Sequence, residues 1–109
     1  MKRRVAVTGL GVVSPVGIGL KTFWSNLVAG KSGITNITSF DTTDFPVKIA
    51  GEVKDFNASD FIADRKAVRH MDRDSQFALA AAIMAAEDSG LDPPKEDASR
   101  SGTFIGTGI

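Results

Sequence analysis

The run FALAAAIMAA, Phe77 to Ala86, contains no polar side chain. Wound as a helix it is apolar on every face, and a helix of that kind is stable only when covered all round. Its many alanines let neighbouring backbones come close. Cover on both sides needs two flanking layers, and a chain of 109 residues can barely supply one. The pattern predicts a helix N-capped by Asp72 and ended at Ser89-Gly90, with Pro93 and Pro94 beyond.

Around that helix the chain reads as alternating elements. Arg4 to Thr8 groups Val5, Ala6 and Val7 without alternation, the pattern of a strand buried on both faces. A helix around Lys21 to Val28 places Phe23, Trp24, Leu27 and Val28 on one face and stops at Ala29-Gly30. Ser32 to Pro46, rich in Thr, Ser, Asp and Gly, reads as a loop. Lys48 to Val53, KIAGEV, reads as a short strand, and Asp64 to Arg69 as one or two helical turns. Ser101 to Ile109, SGTFIGTGI, reads as a second buried strand with glycines near its end. Strand, helix, loop, helix, strand is the order of an α/β fold with a parallel sheet. The all-apolar helix and the bare apolar strand at Ile109 lead us to expect an incomplete domain over residues 1–109.

VAVTGLGVVSPVG raises a second possibility, because a strand turning on Gly9 and Gly11 is how a dinucleotide site begins. That fingerprint needs a third glycine opening a helix and an acidic residue about 20 positions later. Here Ser14 takes the third position, and Ala29, Gly30 and Lys31 occupy the acidic region. Pro15, Gly17 and Gly19 leave no helix N-terminus at the turn to meet a phosphate. A close backbone approach is the better reading of Gly9 and Gly11.

Composition removes other classes. Thirteen basic residues balance thirteen acidic ones, so no global field argues for nucleic acid or an anionic membrane. The absence of cysteine excludes disulfides, thiolate metal sites and a cysteine nucleophile from these residues. One histidine, His70, builds no metal cluster, and its polar neighbours make it an exposed or capping residue rather than a base. Phe77 to Ala86 is too short to span a bilayer, and no signal peptide follows Lys2, Arg3 and Arg4. A cytoplasmic setting is the default expectation.

Arg65, Lys66 and Arg69 form the one basic cluster, and Lys66 and Arg69 share a helix face three residues apart. From the residues alone it reads first as a solvated face, with Asp64, Asp72 and Asp74 near enough to balance it.

Taken together, the segments carry more than any one of them. RRVAVTGLGVVSPVG, FW..L..GKSGI, FDTTDFPVKIAGEV, DRKAVRHMDRDSQFALAAA with EDSGLD, and GTFIGTGI resemble the opening of the β-ketoacyl-acyl carrier protein synthases, most of all the type II elongating enzymes. The resemblance runs from Arg3 to Ile109. It implies a thiolase-like α/β fold of five layers, α-β-α-β-α, with residues 1–109 forming part of its first half. It also implies a decarboxylating Claisen condensation on acyl carrier protein, no cofactor, no metal, and a homodimer in the intact enzyme. The cysteine and two histidines of that chemistry cannot be assigned here, so these residues alone are expected to be inactive. Arg65, Lys66 and Arg69 become candidates for docking the acidic carrier protein. Ile109 becomes a candidate wall of the acyl channel, against the alternative of an ordinary core isoleucine. Polyketide ketosynthases share these opening segments. A nucleotide-binding module and a non-catalytic chain are the other classes in view.

Overall fold

The longest element, α3 (Arg73–Ser89), is bounded by local chemistry at both ends. Asp72 stays in extended backbone, and its carboxylate accepts from the Ser75 amide at 2.7 Å. Gly90 closes the helix at φ 71°, a left-handed conformation that costs glycine nothing. Both boundaries agree with the expectation from sequence. The computed structural model describes residues 2–108; Ile109, expected to line an acyl channel, lies outside the described residues.

Upstream, β1 (Val13–Ser14) and β2 (Gly17–Ile18) pair antiparallel around Pro15-Val16. α1 (Leu20–Val28) follows, and the Asn26 side chain donates to the Val16 carbonyl at 2.7 Å, tying helix to turn. β3 (Ile34–Asn36) and β4 (Ile49–Gly51) form a second antiparallel pair, with Thr35 opposite Ala50. The expected short strand at 48–53 is therefore present. The expected loop at 32–46 is corrected, since Ile34–Asn36 within it is a strand. Three residues are too short a run for periodicity to stand out among Ser and Thr.

The hairpin is extended by Glu52. Its carboxylate accepts from the Thr38 amide at 2.9 Å, the Thr38 hydroxyl at 3.0 Å and the Ser39 amide at 3.0 Å. Hydrogen bonds from Ser39, then from the Thr38 backbone, lower its pKa from 4.5 to about 2. A depressed carboxylate stabilises the fold fully above its ordinary pKa, and the contribution is lost as pH falls through about 2. Glu52→Ala is expected to remove hydrogen-exchange protection selectively at Thr38 and Ser39 at neutral pH. Unchanged protection there would count against the clasp.

Gly9 and Gly11 lie against α3. A Cβ on Gly9 would sit 2.6 Å from the Ser89 nitrogen, and one on Gly11 would come within 2.8 Å of the Ala85 nitrogen and overlap the Ala81 carbonyl oxygen. Between them the Leu10 amide donates to the Asp88 carboxylate at 2.9 Å. The glycines let two backbones meet where side chains would hold them apart. The small residues of α3 on this side are the counterpart of that seam.

Two expected strands do not form. Residues 4–8 and 101–108 have no ladder partner among the described residues, and the pairings present are both antiparallel rather than a parallel sheet. A strand exists only through its neighbour's hydrogen bonds, and neither apolar run finds one here. Val5 is 92% exposed and Phe104 99%. α3 is covered on part of its surface, as expected of a chain too short to supply both flanking layers: Ala80 is buried, but Ala78, Leu79 and Ala82 face solvent.

The remaining packing is thin. Ala58, Ile62 and Ala80 are the buried hydrophobic residues among those described. Accessible surface reaches 9154 Å², against about 5800 Å² for a compact monomer of this mass. The Cα radius of gyration is 17.0 Å, against about 13 Å for a compact chain of this length. Large apolar side chains such as Val5, Trp24, Val28 and Phe104 are left exposed.

Candidate functional site

The basic cluster folds onto α2 (Arg65–His70), a helix too short to be stable by itself. Its start is set by Asp64, whose carboxylate accepts from the Lys66 amide at 2.9 Å and the Ala67 amide at 3.1 Å. Its end is set by Met71, which returns to extended backbone so that Asp72 can open α3. Half-buried Ala67 and Val68 form the inner side, and α2 packs against the 3₁₀ turn Ala58–Asp60. Phe56 and Phe61, which flank that turn in sequence, form an aromatic cluster with Phe77 of α3. Phe56 stacks on Phe61 with ring centroids 5.8 Å apart and meets Phe77 edge-on at 4.9 Å. The Arg73 guanidinium sits 4.8 Å above the Phe77 ring and donates to the Val53 carbonyl at 3.2 Å.

Arg65, Lys66, Arg69 and His70 are all exposed. Arg69 is three residues from Lys66 and four from Arg65, so it neighbours both on the helix surface. The nearby acidic residues do not form ion pairs with this cluster. Asp64 and Asp72 are turned onto backbone amides as helix caps, and hydrogen bonds from Ser75 hold the Asp72 carboxyl below its usual range. Among the described residues the ion pair present is Lys95–Asp92, remote in sequence from α2. Like charges at these spacings weaken a helix slightly. The cluster has no ion-pair partner among the described residues. Sequence reasoning anticipated the three cations. It anticipated the capping role of Asp72 and missed that of Asp64, although an Asp directly before a helical run is the signal for it.

No group of His, Asp and Glu among the described residues is arranged to hold a metal ion, and no helix is long and apolar enough to cross a membrane. The chain contains no cysteine.

Residues 2–109 match the family model of the β-ketoacyl synthase N-terminal domain. The chain belongs to the β-ketoacyl synthase family. It is 49% identical over 108 residues to the 3-oxoacyl-[acyl-carrier-protein] synthase 2 of Vibrio cholerae, which covers 99% of this chain and 26% of that protein. It is 46% identical over 107 residues to the synthase 2 of Staphylococcus aureus, covering 98% of this chain and 26% of that protein. The chain thus spans about a quarter of the length of the curated relatives it matches. Among solved structures it superposes on the ishigamide ketosynthase/chain length factor with a TM-score of 0.78 at 41% identity, covering 86% of this chain and 23% of that one. It also superposes on a type II polyketide ketosynthase in complex with its acyl-carrier protein, with a TM-score of 0.65 at 37% identity, covering 92% and 22%. The fold is the thiolase-like α/β fold of these ketosynthases, which upholds the fold class expected from the sequence.

Proposed function

We propose that this chain is the N-terminal part of the first half of a β-ketoacyl-acyl carrier protein synthase of fatty-acid elongation, with α2 as a docking surface for the carrier. Identity of 46 to 49% to synthase 2 proteins over nearly the whole chain supports that activity. The observation that carries the docking role is the exposed face of Arg65, Lys66 and Arg69, none of which is held in an ion pair among the described residues. An acidic carrier approaching it gains complementary potential, which speeds and orients encounter more than it adds affinity.

In the proposed reaction an enzyme thiolate carries the acyl group. The malonyl thioester loses CO2, its α-carbon attacks the acyl carbonyl, and the thiolate leaves as the new carbon–carbon bond forms. The thiolate, and the groups that stabilise negative charge on both carbonyls, belong to residues outside this chain, which contains no cysteine and one histidine. Residues 2–108 supply scaffold and the carrier-facing surface. The working protein acts in the cytoplasm as a homodimer, without a cofactor. Ile109, the branched aliphatic side chain of the GTGI segment, is proposed to wall the acyl channel.

The test is mass spectrometry of the carrier after incubating the intact protein with acyl-carrier and malonyl-carrier. A 3-oxoacyl-carrier two carbons longer than the starting acyl group is expected. Poly-β-keto products from repeated condensation would instead support a polyketide ketosynthase, the reading favoured by both structural neighbours. Absence of any condensation product would contradict both.

A further inference from the structure

α2 is six residues long, so its direction is set by what holds it from outside. Asp64 fixes its start. At the other end the last carbonyls of a helix are short of intrahelical donors; here the Met71 amide donates to the Val68 carbonyl at 3.3 Å, and one side chain from α3 also reaches back. The Gln76 amide nitrogen donates to the Val68 carbonyl and to the Met71 carbonyl, each at 3.2 Å. Val68 is in the last turn of α2, and Met71 is the corner residue between the helices. Gln76 is half-buried one turn into α3, next to Phe77 of the aromatic cluster. A single rigidly rooted amide therefore spans both sides of the α2–α3 corner.

We propose that Gln76 is a positioning residue for carrier docking: its bridge to the Val68 and Met71 carbonyls sets the angle at which α2 presents Arg65, Lys66 and Arg69. The inference rests on α2 being the docking surface. Net stability from such hydrogen bonds is modest, because freed carbonyls at an accessible corner are taken up by water. Loss of the bridge leaves the far end of α2 held only by the Met71 amide on the Val68 carbonyl, by its packing on the Ala58–Asp60 turn and by the chain itself. The cations then remain present but are no longer held in one arrangement, and a partner must order them on binding.

The test uses steady-state kinetics of the intact enzyme on malonyl-carrier and on malonyl-coenzyme A, which share the reacting group but not the acidic protein. Gln76→Met keeps the length of the side chain and removes the donor. It is expected to raise the ratio of carrier KM to coenzyme A KM about three- to tenfold, the affinity equivalent of one hydrogen bond. In an Arg69→Ala background the same substitution should add clearly less, because both act through one surface. An equal effect on the two thioesters, or full additivity with Arg69→Ala, overturns the inference and leaves Gln76 a packing residue. If Gln76→Met does not accumulate as folded enzyme, Gln76→Asn, which withdraws the amide by one methylene, carries the same expected split and the same contradicting results. Should Arg69→Ala itself leave the ratio unmoved, the docking surface is refuted, whatever Gln76 does.

Discussion

Gly11→Ala is expected to lower the Tm of the intact protein by about 1–4 °C, since forcing extra atoms into a packed contact costs about 1–3 kcal/mol and a protein about four times this length loses about 1 °C per kcal/mol. The cause is specific. The new methyl would overlap the Ala81 carbonyl oxygen and lie 2.8 Å from the Ala85 nitrogen. Both obstacles are backbone, so no rotamer change relieves them. Shortening the facing side chain with Ala81→Gly should therefore fail to rescue Gly11→Ala, because the obstacle at 81 is an oxygen that every residue has. Thermal melts of the single and double variants read this directly. A Gly11→Ala protein with wild-type Tm, or a rescue by Ala81→Gly, would show that the seam is loose.

Reversing the cluster has the largest expected effect on function. Arg65→Glu, Lys66→Glu and Arg69→Glu combined should raise the KM for malonyl-carrier about ten- to a hundredfold at low salt, as like-charge repulsion replaces attraction. The penalty should shrink as ionic strength rises, because these groups are exposed and a Debye length is about 8 Å at physiological salt. Steady-state kinetics across a salt series provide the measurement. A deficit that salt does not reduce would assign the loss to misfolding of α2 rather than to charge.

What the sequence discloses about this chain is its local part. Asp72 before Arg73, and Gly90 after Ser89, set the limits of α3 by bonds within a few residues, so they can be read from the residues themselves. The glycine turn is legible in the same way, because Ser14 stands where a phosphate-binding glycine is needed. Pairing is not local. Val5–Val7 and Phe104–Ile105 carry strand-like composition, yet strand formation depends on a neighbour that these residues do not name. The resemblance supplied the family and the cations of α2, but their support was hidden. Gln76 is the last of the polar run DRDSQ ahead of FALAAAIMAA, and Glu52 the one acid within KIAGEV. Each marks a side chain with a structural task, and neither reveals which carbonyls or amides it serves.

The most direct measurement of where the carrier docks is hydrogen exchange of the intact protein with and without acyl-carrier. Added protection concentrated on residues 65–70 is the result predicted here. Protection elsewhere, with α2 exchanging as in the free protein, would contradict it.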